Sequence, residues 1–236
     1  MGKSISSVGI IGQGAFGKLA LSLVPKDITR HTFDLGDTDN QFATVGRCDI
    51  VLLAVPLSAY EDVLSKLKPY LRAEALLIDV CSVKLKPAEF IEKLLPEHKN
   101  VLLTHPLFGP ETYRRDDSRP TLVICSKPTG RSSEVVEFCR NELGMNIAAT
   151  TPDEHDKEMA FVHAMTFFIA RGLRGIKFDR LVLETPSFRH IKQLAHLDRV
   201  HSQELFETIM LGNPYAAEAR TRIMSQLEQV NTSLRL

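Results

Sequence analysis

At 236 residues, 44% of them hydrophobic and 25% charged, the chain can bury one large core or two modest ones. Its 29 Lys and Arg balance 29 Asp and Glu, so no net field recruits nucleic acid or an anionic membrane surface. No apolar run approaches the roughly 20 residues that cross a bilayer, and no signal-peptide pattern opens the chain, so a cytoplasmic protein without a membrane partner is expected.

The opening letters MGKSIS fit a myristoylation pattern, read as an accidental match because a strand begins almost at once. That strand, SVGIIG, runs into Gly12, Gly14 and Gly17 at the start of a helix. A bare G-x-G-x-x-G is weak evidence, but between a strand and a helix each glycine has a task. Gly12 makes the tight turn, Gly14 lets backbone approach a pyrophosphate, and Gly17 lets the helix pack on the sheet. The helix N-terminus offers amides to phosphate, so Gly12, Gln13, Gly14, Ala15, Phe16 and Gly17 form the expected dinucleotide loop. The alternative is a glycine turn with no ligand.

The second strand, HTFDLG, runs on into DTDN, and this stretch holds Asp34, Asp37 and Asp39 with no Arg or Lys among them. A carboxylate accepts the ribose 2′-hydroxyl, whereas a 2′-phosphate wants arginine, so NAD is favoured over NADP and Asp34 over Asp37 as its reader. The third strand, CDIVLLAVP, ends in Ala54, Val55 and Pro56, which should wall the cofactor, and an amphipathic helix, SAYEDVLSKLKPYL, follows. The fourth, ALLIDVCS, leads into Ser82, Val83 and Lys84, and the fifth, NVLLTH, stops at His105 with Pro106 behind it. Two further strands, TLVICS and MNIAAT, flank the helix SSEVVEFCRNELG.

Strands apolar on both faces, alternating with helices, predict an α/β Rossmann-type, doubly wound parallel sheet over residues 1–150. Ligands sit outside the carboxyl ends of such strands, so His105 should face the nicotinamide. From the residues alone, His105 is either a polar stopper where a strand meets water or a group held to move a proton.

After Thr150 the pattern changes. Thr151-Pro152, Thr185-Pro186 and Asn213-Pro214 are helix starts of one style, with a capping side chain before proline, and Glu154 adds a capping-box spacing. Residues 151–236 therefore read as a smaller all-α domain. Its first helix, EHDKEMAFVHAMTFFIARGL, is apolar nearly all round and so buried on several sides. Only the closing NTSLRL looks free to fray. The four cysteines lie far apart, without metal-type spacing, and read as reduced structural thiols.

Together the stretches GIIGQGAFG, DIVLLAVP, DVCSVK, THPLFGPE, EHDKEMAFVHA, TPSFRHIKQLAHLDRV and ELFETIM resemble the prephenate/arogenate dehydrogenase family of tyrosine biosynthesis, over nearly the whole chain. The resemblance implies oxidative decarboxylation of prephenate to 4-hydroxyphenylpyruvate with NAD, or of arogenate to tyrosine. It implies that His105 is the base at the ring hydroxyl and that Ser82 orients that hydroxyl. It further implies substrate contacts by Arg189, Lys84 and Glu111, and a homodimer built by the helical domain. Ser82 could instead cap a turn, Lys84 could lie on the surface, and Arg189 could be an ordinary solvated arginine. His155-Asp156 matches a family pair but is read as tying the two domains together. The chain departs from some relatives at His163, Ala164 and Phe167, where a further histidine contact is expected, and its helical domain is shorter than usual. The rival readings are another small nicotinamide enzyme, such as a hydroxyacid dehydrogenase or imine reductase, and a non-catalytic NAD-binding sensor.

Overall fold

The computed structural model describes residues 5–113, 119–176, 178 and 181–234. Residues 1–4 of the myristoylation-like opening lie outside the described residues, as do 235–236 of the closing NTSLRL. The chain divides into two compact units, 1–152 and 153–236.

The first unit is a seven-stranded sheet in the order β2-β1-β3-β4-β5-β6-β7. Its strands are β1 (Ser7–Ile11), β2 (Thr29–Phe33), β3 (Ile50–Leu53), β4 (Leu76–Asp79), β5 (Val101–Pro106), β6 (Thr121–Ile124) and β7 (Asn146–Ala149). β1, β3, β4 and β5 are almost wholly buried because helices cover both faces, which is why they are apolar without alternation. One face carries α2 (Asp39–Gly46), α3 (Tyr60–Leu67) and α4 (Leu85–Leu94), packed through Phe42, Val45, Leu64, Leu67 and Ile91. The other carries α1 (Ala15–Leu23) and α5 (Arg131–Asn141), packed through Ala20, Leu21 and Val136 over Ile10, Ile78 and Leu102.

The first five strands are parallel, but β6 pairs antiparallel with β5, and β7 follows β6 in parallel. The sheet is thus mostly parallel, as the Rossmann-type reading expects, with one antiparallel pairing. A parallel return needs a crossover, usually a helix, and no helix is described between Leu107 and Pro120. β5 also continues past His105, with Pro106 opposite Leu122, so the strand does not stop at the histidine.

At the edge where β1 and β3 begin, Asp49 gathers donors. One oxygen accepts the amides and hydroxyls of Ser6 and Ser7 at 2.7–3.0 Å, and the other accepts Arg72 Nη2 at 2.7 Å. Burial pushes this carboxyl's pKa up, but the Ser6, Ser7 and Arg72 hydrogen bonds outweigh it and hold the group well below the usual carboxylate range.

The second unit is helical throughout its described elements. α6 (Pro152–Met159) passes through a π-helical segment, Ala160–Met165, into α7 (Thr166–Arg174). The helix expected to run unbroken therefore contains a stretch of wider turns, a feature common at functional sites. α8 (Pro186–Val200) starts on Thr185, whose hydroxyl accepts the Phe188 amide at 3.2 Å. α9 (Gln203–Gly212) is capped by Ser202 in the same way. α10 (Ala216–Ser233) begins two residues later than Asn213-Pro214 suggests. Asn213 Oδ1 accepts the Tyr215 amide at 2.9 Å, while its Nδ2 donates to the Asp156 carbonyl at 2.7 Å. The same helix runs on through Asn231, Thr232 and Ser233, which were expected to fray. Ala164, Phe167, Ile209, Met210 and Ala216 form the core of this unit, and Asp198 pairs with Arg171 and Arg174 beside it. His155, read in the sequence as a tie between domains, bonds Asp156 Oδ1 through Nδ1 at 2.8 Å, within this unit.

Candidate active site

Because β1 to β5 are parallel, their carboxyl ends meet along one edge of the sheet, and that edge gathers most of the expected site residues. The chain moves from β1 to β2 on one side and then to β3 on the other, which opens a crevice at the end of β1.

Gly12 turns there with φ of +96°, its amide donating to the Phe33 carbonyl at 2.8 Å. A β-carbon on Gly12 would stand 2.3 Å from the Ala54 carbonyl oxygen, so only glycine fits between the ends of β1 and β3. Gly14 is exposed and caps α1 without a side-chain hydrogen bond, and no acidic residue lies in the first turn. A β-carbon at Gly14 would meet nothing within 4 Å. An open, uncapped helix start with no competing negative charge suits a pyrophosphate. Ala15 is also exposed and Phe16 half-buried, with the Phe16 ring 6.2 Å from that of Phe108.

Asp34 directly follows β2, and its carboxylate accepts the Gln13 amide at 3.2 Å and the Leu35 amide at 2.8 Å. Asp37 instead accepts the Asp34 amide at 2.8 Å. Asp34 is therefore held at the mouth of the glycine loop, while Asp37 shapes the turn behind it. Ala54, Val55 and Pro56 leave β3 at the same edge, with Ala54 and Val55 half-buried and Pro56 exposed.

Ser82 is half-buried in the turn after β4, and His105, 4% exposed, is the second-to-last residue of β5, opposite Val123. Glu111 is exposed in the turn Gly109–Tyr113, where Gly109 accepts the amides of Thr112 and Tyr113. Arg189 is exposed in the first turn of α8, in the second unit.

Lys84 corrects both readings given to it. It is neither on the surface nor open to a substrate: the side chain is fully buried, and its ammonium donates to Asp79 Oδ2 and to the Thr104 carbonyl. The other Asp79 oxygen accepts the Tyr60 hydroxyl and the Cys81 amide, the latter at 3.1 Å. Burial first, and then the Asp79 charge, push the Tyr60 phenol well above its ordinary pKa, so it stays a donor. The same two influences raise Cys81 to about 12, which keeps a neutral thiol in the turn. Tyr60, Asp79 and Thr104 were given no role in the sequence. The available signal was an aspartate ending a strand apolar on both faces, since a buried carboxylate requires partners.

A glycine loop between β1 and α1, an acidic residue after β2 and a histidine near the end of β5 on a mostly parallel sheet define the class: a Rossmann-type domain. Residues 25–123 match the family model described as prephenate dehydrogenase, nucleotide-binding domain. A probable arogenate/prephenate dehydrogenase of Methanocaldococcus jannaschii is 26% identical over 82% of this chain and 45% of its own length. The T-protein of Haemophilus influenzae is 28% identical over 86% of this chain and 55% of its own. The chain thus spans about half the length of these curated relatives. Among solved structures, a prephenate dehydrogenase from A. aeolicus in complex with hydroxyphenyl propionate and NAD+ has the same fold, with a TM-score of 0.75 and 16% identity, over 98% of this chain and 91% of that one. Residues 25–123 are thus similar to the nucleotide-binding domain of prephenate dehydrogenases, and the chain is similar over most of its length to arogenate and prephenate dehydrogenases.

Proposed function

We propose that this protein oxidatively decarboxylates prephenate to 4-hydroxyphenylpyruvate with NAD, arogenate being the second candidate substrate. The observation that carries this reading is the convergence on one sheet edge of an open glycine loop, Asp34, Ser82 and His105. The complex of the A. aeolicus enzyme with NAD+ supports the choice of cofactor.

NAD held at the glycine loop would supply the hydride acceptor for the ring carbon bearing the hydroxyl. The chain's own residues do the rest. The amides that open α1 hold the pyrophosphate, and Asp34 takes the ribose hydroxyls. Ser82 can donate and accept at once, so it orients the ring hydroxyl. A neutral His105 receives the hydroxyl proton as the carbonyl forms; when the ring carboxylate leaves as carbon dioxide its bonding pair aromatises the ring, and the ring oxygen takes the proton back. Pro106 restricts His105 to extended backbone, and pairing with β6 on one side makes the mount rigid. Arg189, planar and permanently charged, is the clamp proposed for the carboxylate of the substrate side chain, and Glu111 a further proposed substrate contact. A homodimer through the helical unit fits the exposed apolar row Leu227, Val230 and Leu234 on and just after α10.

The test is the appearance of reduced nicotinamide, followed by its near-ultraviolet absorbance, when purified protein is given NAD with prephenate, NAD with arogenate, or NADP with either. Reduction of NAD by prephenate is the expected result. NAD binding with no turnover on either substrate would overturn the reading in favour of a sensor.

A further inference from the structure

The backbone ladder between β4 and β5 ends at the pair Asp79 and Leu103, short of both Ser82 and His105. Beyond that point side chains take its place. Thr104 Oγ1 donates to the Asp79 carbonyl at 2.7 Å, and Lys84 bridges the Asp79 carboxylate and the Thr104 carbonyl. That carbonyl belongs to the peptide joining Thr104 to His105, so Lys84 restrains the bond from which the histidine hangs.

Tyr60 enters from the helix that follows β3. It opens α3, just after the Ala54–Pro56 wall and a 3-10 turn, and its hydroxyl reaches the Asp79 oxygen that also holds the Cys81 amide beside Ser82. Tyr60, Asp79 and Lys84 have no exposed surface at all. A buried ion pair is weak evidence for stability, because desolvation offsets the attraction. A phenylalanine would fill the Tyr60 site equally well if packing were the whole requirement. A phenol aimed at the shared carboxylate fixes direction instead.

We propose that Tyr60 is a positioning residue. Through Asp79 and Lys84, its hydroxyl locks the Ser82 turn and the His105 strand end in one register against the cofactor wall. This inference rests on the function proposed above.

The experiment makes Tyr60→Phe and Thr104→Val in the full chain, singly and together, and measures steady-state kinetics on whichever cyclohexadienyl substrate the unmodified protein accepts. Tyr60→Phe should lower kcat about tenfold while KM for NAD stays within about twofold, the pattern of misplaced reacting groups. The double variant should lose no more than the worse single variant, because both act through Asp79. An unchanged kcat, or losses that simply multiply, would overturn the proposal. If the unmodified chain shows no turnover, the function reading fails and a second readout decides. The imidazole resonances of His105, assigned by their loss in His105→Asn, are followed through the neutral pH range by NMR. Altered resonances in Tyr60→Phe support the network and unaltered ones refute it. Should Tyr60→Phe fail to fold, Tyr60→Met, which also removes the hydroxyl from the buried site, takes its place in both measurements.

Discussion

A β-carbon on Gly17 would stand 1.9 Å from the carbonyl oxygen of Gly12, so α1 meets the end of β1 with no room for any side chain. Gly14, three residues earlier, has open space where Gly17 has none. The two positions should therefore fail differently. Gly17→Ala should cost about 2 kcal/mol or more of stability through overpacking against backbone. Gly14→Ala should melt like the unmodified protein yet bind NAD about tenfold more weakly, because the added methyl occupies the approach to the phosphates. Thermal unfolding and calorimetric titration separate the cases; normal NAD affinity in Gly14→Ala would mean this loop holds no pyrophosphate.

Asp34 and Asp37 offer a second contrast. Asp34→Asn should raise the KM for NAD at least about tenfold, the value of a hydrogen bond to a charged group, and should narrow the preference for NAD over NADP. Asp37→Asn touches only the turn and should change neither by more than about twofold. Steady-state kinetics with both cofactors decides, and equal effects would show that the ribose is read elsewhere.

Replacing His105 by asparagine keeps a polar group of similar size in β5 but removes the base. Turnover should fall at least about a hundredfold, with NAD affinity by calorimetry unchanged. Near-normal turnover would exclude His105 as the proton acceptor.

Asp49 should govern acid stability at the opposite end of the sheet. Its folded-state pKa is depressed, so its contribution is fully present above the ordinary value of 3.8 and fades as the pH falls toward its lowered value. Asp49→Asn should cost about 2 kcal/mol at neutral pH, and the gap from the unmodified protein should close below about pH 4. Urea unfolding at several pH values measures this; a gap independent of pH would assign the loss to geometry, not charge.

His163 has the same sign in a higher pH window. Burial, aided by His201 and His155, pulls its pKa down from 6.5 to about 4. The unfolded chain takes up this proton first, so stability is complete above about pH 6.5 and declines as the pH drops toward 4. Allowing for the part of the ring that water still reaches, roughly 2 kcal/mol should be lost across that window. In His163→Gln the melting temperature should be flatter over the same range, and an unchanged slope would place the titration elsewhere.

The glycine loop was legible because each of its glycines answers a local steric demand, and Gly12 and Gly17 meet that demand against Ala54 and each other. The inner strands β1, β3, β4 and β5 were legible for the same kind of reason: burial on both faces leaves an unbroken apolar run. The direction of β6 was not, because an isolated strand such as TLVI carries no mark of polarity. Only the connection from Leu107 to Pro120 decides it. Lys84 was misread because a lysine in a turn looks solvated until Asp79 and the Thr104 carbonyl are brought to it from two strands. Asn213 caps as its type suggests, but its second contact, to Asp156, lies 57 residues away and is invisible to local pattern.

The reversal at β6 also divides the loops of the first unit by what they are free to become. Those leaving β1 to β5 border the proposed site, whereas the loop leaving β6, Ser126 to Gly130, emerges at the far edge beside Asp49, where Arg131 donates to the Glu74 carbonyl at 2.6 Å. Lys127, Thr129 and Gly130 are exposed there. A fluorophore or affinity tag inserted among them would report on this unit from the side remote from its ligands, which makes that loop the natural handle for immobilising or labelling the protein in working form.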